Sequence, residues 1–281
     1  MTRRSRGTRG AAAAESPLPP ATTGPSAGPA RGVRSASGTA AKPASRERWA
    51  VLDTFRGAAI VTMVVYHFCF DLALNGWLVA DFGDDWRWVA FRVSILGAFL
   101  LAAGASLGLA SLSGFDERKF WRRIGVIAGA ALLVTVGSWT MFPESFIYFG
   151  VLHAIALMTL LGRPMLRLGT ALFVVGPAIV AAGVALRFPL FDAQWLHWVG
   201  MMTFRPRTED YVPLFPWFGV FLTGAAVASS IASTTNAAAL SAWRPPRPFR
   251  ALPWLGRHSL AIYLIHQPVL LGTMQLVRYA A

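Results

Sequence analysis

Four ionisable side chains fall inside a single apolar stretch, AVLDTFRGAAIVTMVVYHFCFDL at residues 50–72: Asp53, Arg56, His67 and Asp71. In hydrocarbon such groups cost several kcal/mol unless they face a cavity or a partner, which makes each of them a candidate for function. On a helix turning about 100° per residue, Asp53, His67 and Asp71 lie about 60°, 20° and 60° from Arg56, so all four share one face. The ~1.5 Å rise per residue puts His67 about 16 Å beyond Arg56, with Asp71 one turn further. His67 and Asp71 are spaced four apart, so the carboxylate can accept from one ring nitrogen and fix the tautomer of the other, as a general base requires. The same pair can instead lock helices together. Asp53 also suits the first turn of a helix dipole, and Arg56 can snorkel to headgroups.

A second polar group recurs near the carboxyl end, in LPWLGRHSLAIYLIHQPVLLG at residues 252–272. Ser259, Tyr263 and His266 are spaced four and three apart and fall on one helical face, with Gln267 beside His266. Pro268 leaves the carbonyl of Leu264 without its usual donor, which suits a polar cavity. His153 in FIYFGVLH is a further candidate for the same cavity, or else a satisfied core histidine. His197, in a loop, is expected to be solvated. No HExxH motif, phosphate-binding glycine loop or G-x-S-x-G elbow occurs, and the spacing of the histidines gives no support for a metal.

These side chains need apolar elements to hold them. Of the 281 residues, 55% are hydrophobic and 14% charged, far from the balance of a water-soluble domain. Apolar runs predict an all-α, polytopic transmembrane bundle of about seven spans: residues 50–72, 88–109, 121–141, 146–161, 168–186, 214–231 and 259–277. Residues 1–45 are rich in Ala, Gly, Pro, Ser and Arg and read as a disordered basic tail preceding a membrane domain over 46–281. The single cysteine, Cys69, excludes an intrachain disulfide.

The net charge of +13 reads first as topology. Basic residues crowd the tail, the loop after span two (Arg118, Lys119, Arg122, Arg123), the loop after span four (Arg163, Arg167) and the loop after span six (Arg244, Arg247, Arg250, Arg257). Loops one and three carry mainly acid, including Asp81, Asp84, Asp85 and Glu144. The positive-inside rule then gives a cytoplasmic amino terminus and an outer carboxyl terminus. The tail lacks aromatics that could stack on bases, so an anionic bilayer rather than a nucleic acid is the expected partner.

The ordered runs RWAVLDTFRGAAIVTMVVYHFCFDL, FIYFGVLHAIAL, DYVPLFPWFGVFLTG and WLGRHSLAIYLIHQPV resemble the bacterial family carrying the catalytic domain of heparan-alpha-glucosaminide N-acetyltransferase, over nearly everything after the tail. The resemblance implies an integral membrane acyltransferase. It would take an acyl group, acetyl above all, from cytoplasmic acetyl-CoA or another acyl-CoA to an amino sugar or other glycan, with no metal. In that reading Arg56, Arg122, Arg123 and Arg257 hold the nucleotide phosphates at the inner mouth. His67, oriented by Asp71, acts as general base or briefly carries the acyl group. Asp53, His153, Ser259, Tyr263, His266 and Gln267 line the cavity. The alternative is a proton-coupled carrier of a small polar solute or lipid headgroup without enzymatic activity.

Overall fold

Without water to satisfy it, an apolar segment must close its backbone hydrogen bonds on itself, so the long apolar runs of this chain become helices. The computed structural model describes residues 49–112, 114–234 and 236–280. The chain divides into Met1–Ser45 and Arg46–Ala281; the expected basic tail, 1–45, lies outside the described residues. The second unit carries α1 (Ala50–Leu74), α2 (Trp86–Leu112), α3 (Glu117–Met141), α4 (Val151–Met165), α5 (Leu172–Ala185), α6 (Trp217–Ala232), α7 (Asn236–Ala242), α8 (Leu252–Arg257) and α9 (Ser259–Ala280). No strand occurs among the described residues.

Five helical stretches are long and apolar enough to cross a bilayer: α1, α2, α3, α9 and the 35-residue run Val151–Ala185 that joins α4 to α5. The expected seven spans therefore resolve into five by this measure. The run Val151–Ala185 is not straight, because a 3-10 turn at Leu166–Ala171 holds Gly169 at φ 54°, a conformation open to glycine. The two arms of 15 and 14 residues, and α6 with 16, are each about 21–24 Å long, short of a ~30 Å core.

Pairings fix the direction of each helix. Arg56 meets Ser106 while Tyr66 meets Trp88 and Phe91, so α1 and α2 are antiparallel. Glu117 pairs with Arg163 and Thr135 with His153, so α3 and α4 are antiparallel. Gly183 abuts Pro216 and Gly176 abuts Thr223, which sets α5 against α6. Gly104 abuts Phe221 and Gly108 abuts Ala225, so α2 and α6 run the same way. His67 packs on His266 and Asn75 reaches Met274, so α1 and α9 are parallel.

Packing in lipid rests on close approach more than on hydrophobic burial. A Cβ on Gly104 would strike the Phe221 carbonyl, and one on Gly224 the Leu101 carbonyl. This is why α2 and α6 come into backbone contact. The same device joins α1 to α8, where Gly57 faces Leu252 and Gly256 faces the Asp53 carbonyl. Leu132, Leu133, Val174 and Leu276 point outward and stay exposed, as side chains solvated by lipid do.

Non-helical chain caps the amino ends of the short helices α4 and α6. Backbone bonds from Glu209 to Ser145 and from Val212 to Phe149 tie residues 142–150 to 208–212, while Leu214 and Phe215 donate to Trp198 and Val199. Met202, Val212 and Leu214 are buried in this cap.

Candidate functional site

The first turns of α1 and α3 and the junction of α8 with α9 converge around a cavity of ≈1170 Å³. Its lining includes all four arginines singled out from the sequence, Arg56, Arg122, Arg123 and Arg257, together with Lys119, Asp53, Ser259 and Tyr263. Among the described residues no carboxylate forms an ion pair with Arg122, Arg123 or Arg257. Arg56 differs: its guanidinium donates to Asp53 at 2.9 Å and also to Ser106 Oγ. Asp53 is buried, so its charge is compensated locally.

Tyr263 marks the far side of the cavity. Its hydroxyl donates to Asp210 Oδ2 at 3.2 Å, and the same oxygen accepts from the Val151 backbone N–H at 2.9 Å, at the amino end of α4. Gly150 makes room for that carboxylate, which a Cβ would strike. Burial pushes the Asp210 carboxyl above its usual range, while the hydrogen bonds from Val151 and Tyr263 pull it down. Asp210 and Ser106 were not among the candidates read from the sequence. Asp210 sits in a loop of mixed charge, and neither residue has a local pattern that reports its distant partner.

Beyond Tyr263, α9 lies along α1. The rings of Tyr263 and His266 are 5.8 Å apart, and those of His266 and His67 5.0 Å apart. Asp71 is fully buried and accepts from Gln267 Nε2, at 3.1 Å to Oδ1 and 3.3 Å to Oδ2. The partner of the Asp71 carboxylate is thus Gln267 of α9 rather than His67 of its own helix. His266 Nδ1 lies 2.7 Å from the Tyr263 carbonyl, which can only accept, so Nδ1 carries the proton and Nε2 is the free acceptor. That Nε2 and Gln267 Oε1 are buried and without a hydrogen-bond partner.

His153 stands apart from the cavity. Gly150 N–H donates to its Nδ1, and its Nε2 then donates to Thr135 Oγ1, whose hydroxyl donates to the Ile147 carbonyl. Both nitrogens are engaged in holding the start of α4 to α3. His197 is buried rather than solvated, because the 3-10 segment Gln194–Val199 folds under the cap. Its Nε2 donates to the Asp192 carbonyl, leaving Nδ1 to accept from Tyr148.

The site therefore joins a cationic cavity to two half-buried imidazoles, a fully buried carboxylate and a half-buried amide, all within one bundle of apolar helices. No curated protein and no solved structure matches the chain. The family model described as heparan-alpha-glucosaminide N-acetyltransferase, catalytic, matches residues 48–268, which takes in every residue of this site. The chain is a multi-pass membrane protein that belongs to the heparan-alpha-glucosaminide N-acetyltransferase catalytic-domain family of membrane acetyltransferases.

Proposed function

We propose that the chain transfers an acetyl group from cytoplasmic acetyl-CoA to an amino sugar or other glycan on the far side of a bacterial inner membrane. The observation that carries this reading is the convergence of Arg56, Arg122, Arg123 and Arg257 on one cavity that runs in as far as Tyr263. Cationic donors in that number match the phosphates of a coenzyme A, and the ≈1170 Å³ exceeds the ~300–1,000 Å³ of ordinary small-molecule sites, as a nucleotide with an extended arm requires. The basic loops at this mouth support a cytoplasmic side for it.

His67 and Asp71 form the chemical centre. His67 acts on the acceptor or takes the acyl group itself, and Asp71 is held in place by Gln267. Seven crossings fit the alternating helix directions: α4, α5 and α6 each traverse with the help of the outer cap.

The test is purified protein with labelled acetyl-CoA and glucosamine. Transfer is expected in the wild type, is lost in His67→Ala and persists in Glu144→Gln, an exposed loop residue. Absent coenzyme A binding together with solute flux in liposomes would instead identify a carrier.

A further inference from the structure

The group between α1 and α9 holds more acceptors than donors. Asp71 offers two oxygens, Gln267 Oε1 and His266 Nε2 are one acceptor atom each, and the amide that faces them, Gln267 Nε2, is spent on Asp71. An unmade buried hydrogen bond costs about 1–3 kcal/mol, so two side by side call for an explanation. Turning the Gln267 amide over would set Oε1 against the Asp71 carboxylate, and turning the His266 ring would forfeit its bond to the Tyr263 carbonyl. Nε2 is therefore held as a proton acceptor. His67 is the imidazole beside it, and neither ring nitrogen of His67 makes a hydrogen bond among the described residues. Nor does any cation form an ion pair with the fully buried Asp71 among those residues.

We propose that His67 and His266 form a two-imidazole relay, in which His67 takes the proton of the attacking acceptor and its second nitrogen hands a proton to His266 Nε2. The inference rests on the acyl-transfer reading above. The acceptor N–H or O–H bond breaks as its nitrogen or oxygen bonds to the thioester carbonyl carbon, and the carbon–sulfur bond breaks. His67 stays neutral with its tautomer exchanged, and His266 becomes an imidazolium. The proton returns along the pair to the departing thiolate, which restores both rings. Asp71, one helical turn from His67, supplies the negative charge that the transient imidazolium needs in a medium of low polarity. His266 is in these terms a positioning residue that acts through His67.

Transfer of acetyl from acetyl-CoA to glucosamine is measured in wild type, His266→Gln and Asp71→Asn, with the rate followed in mixtures of H2O and D2O. The relay predicts a curved, two-proton dependence in the wild type. His266→Gln lowers kcat about 100-fold or more, within the ~10²–10⁴-fold span of acid–base catalysis, while KM for both substrates stays within about threefold and the dependence becomes linear. Added imidazole recovers part of the rate in His266→Ala. Asp71→Asn, which keeps an oxygen for Gln267, lowers kcat without a matching change in KM and covers the case in which the His266 variants do not fold. A kcat within about threefold of wild type in either His266→Gln or Asp71→Asn, or an unchanged isotope curve in His266→Gln, overturns the relay and leaves the acetyltransferase reading standing. A wild type that transfers nothing overturns both.

Discussion

Gln267 of α9 directs its amide at both carboxylate oxygens of Asp71 of α1, at 3.1 and 3.3 Å, and this bond couples the first long helix to the last. Asp71 is fully buried, so the two residues depend on each other unequally. Asp71→Asn removes charge but leaves an amide oxygen for Gln267 to donate to. Gln267→Leu strips the carboxylate of its donor. Thermal unfolding in detergent should show Asp71→Asn within about 1 kcal/mol of wild type, and Gln267→Leu destabilised by about 1–3 kcal/mol. Equal melting temperatures for Gln267→Leu and wild type would show that the bond does not hold α1 to α9.

The cavity arginines should separate into two classes. Arg122, Arg123 and Arg257 have no acidic partner among the described residues, so replacing any one with alanine should weaken coenzyme A binding with the fold intact. Hydrogen bonds to charged groups contribute about 1.5–3 kcal/mol, which is roughly a 10- to 100-fold rise in Kd. Arg56→Ala should lose both affinity and stability, because it leaves the buried Asp53 uncompensated. Titration calorimetry beside thermal melts distinguishes the classes.

Much of this site is legible in the sequence, for a definite reason. Asp53, Arg56, His67 and Asp71 are related by helical periodicity, as are Ser259, Tyr263 and His266 with Gln267 beside the last, and the basic loops mark which ends of the helices share a side. Periodicity says which residues share a face; it does not say which helix that face meets. So the Asp71–Gln267 bond, the Arg56–Ser106 bond and the placing of Asp210 over the start of α4 were not readable. His153 illustrates the same limit from the other side. Its position in an apolar run reads equally as a cavity residue or a satisfied core histidine, and only the partners Thr135 of α3 and Gly150 at its two nitrogens decide for the second. The bend inside Val151–Ala185 turns on one positive φ at Gly169, and Arg163 and Arg167, which read as a loop, stand where the chain stays helical.

Two glycines of α2 offer a test of how the bundle closes. An alanine methyl at Gly104 would meet the Phe221 carbonyl, whereas nothing lies within 4 Å of one at Gly97. Gly104→Ala should therefore force α2 from α6 and cost about 1–3 kcal/mol, as overpacking does. Gly97→Ala should be neutral or stabilise by up to about 1 kcal/mol through helix propensity. The two variants differ by the same methyl, so their melting temperatures isolate the contact.

Asp210 should make stability depend on pH in an unusual direction. Its carboxyl is raised by burial, so the folded protein holds this proton more tightly than the unfolded chain does. Its contribution is thus most favourable at low pH and declines as pH climbs from the ordinary carboxylate range through the raised value. Asp210→Asn keeps an oxygen for Val151 N–H and Tyr263 and cannot titrate. Melting temperatures over this range should fall more steeply for wild type than for Asp210→Asn. Parallel curves would show that the residue does not titrate differently in the two states.

The direction of the helices predicts the sidedness of the whole chain. α1 and α9 are parallel, so whatever side receives the amino end of α1 also receives the amino end of α9, and the carboxyl ends of both emerge opposite. Arg118, Lys119, Arg122 and Arg123 stand at the amino end of α3 and Arg257 just before α9, all at the cavity mouth or beside it. The positive-inside rule predicts that this mouth faces the cytoplasm. A phosphatase reporter, active only outside the cytoplasm, should then be active when fused after Ala281 and after Trp77, and inactive when fused after Gly114 or Arg247. Activity at Gly114 would put the arginine-lined cavity on the wrong side for cytoplasmic acetyl-CoA, and would remove the proposed donor while leaving the fold untouched.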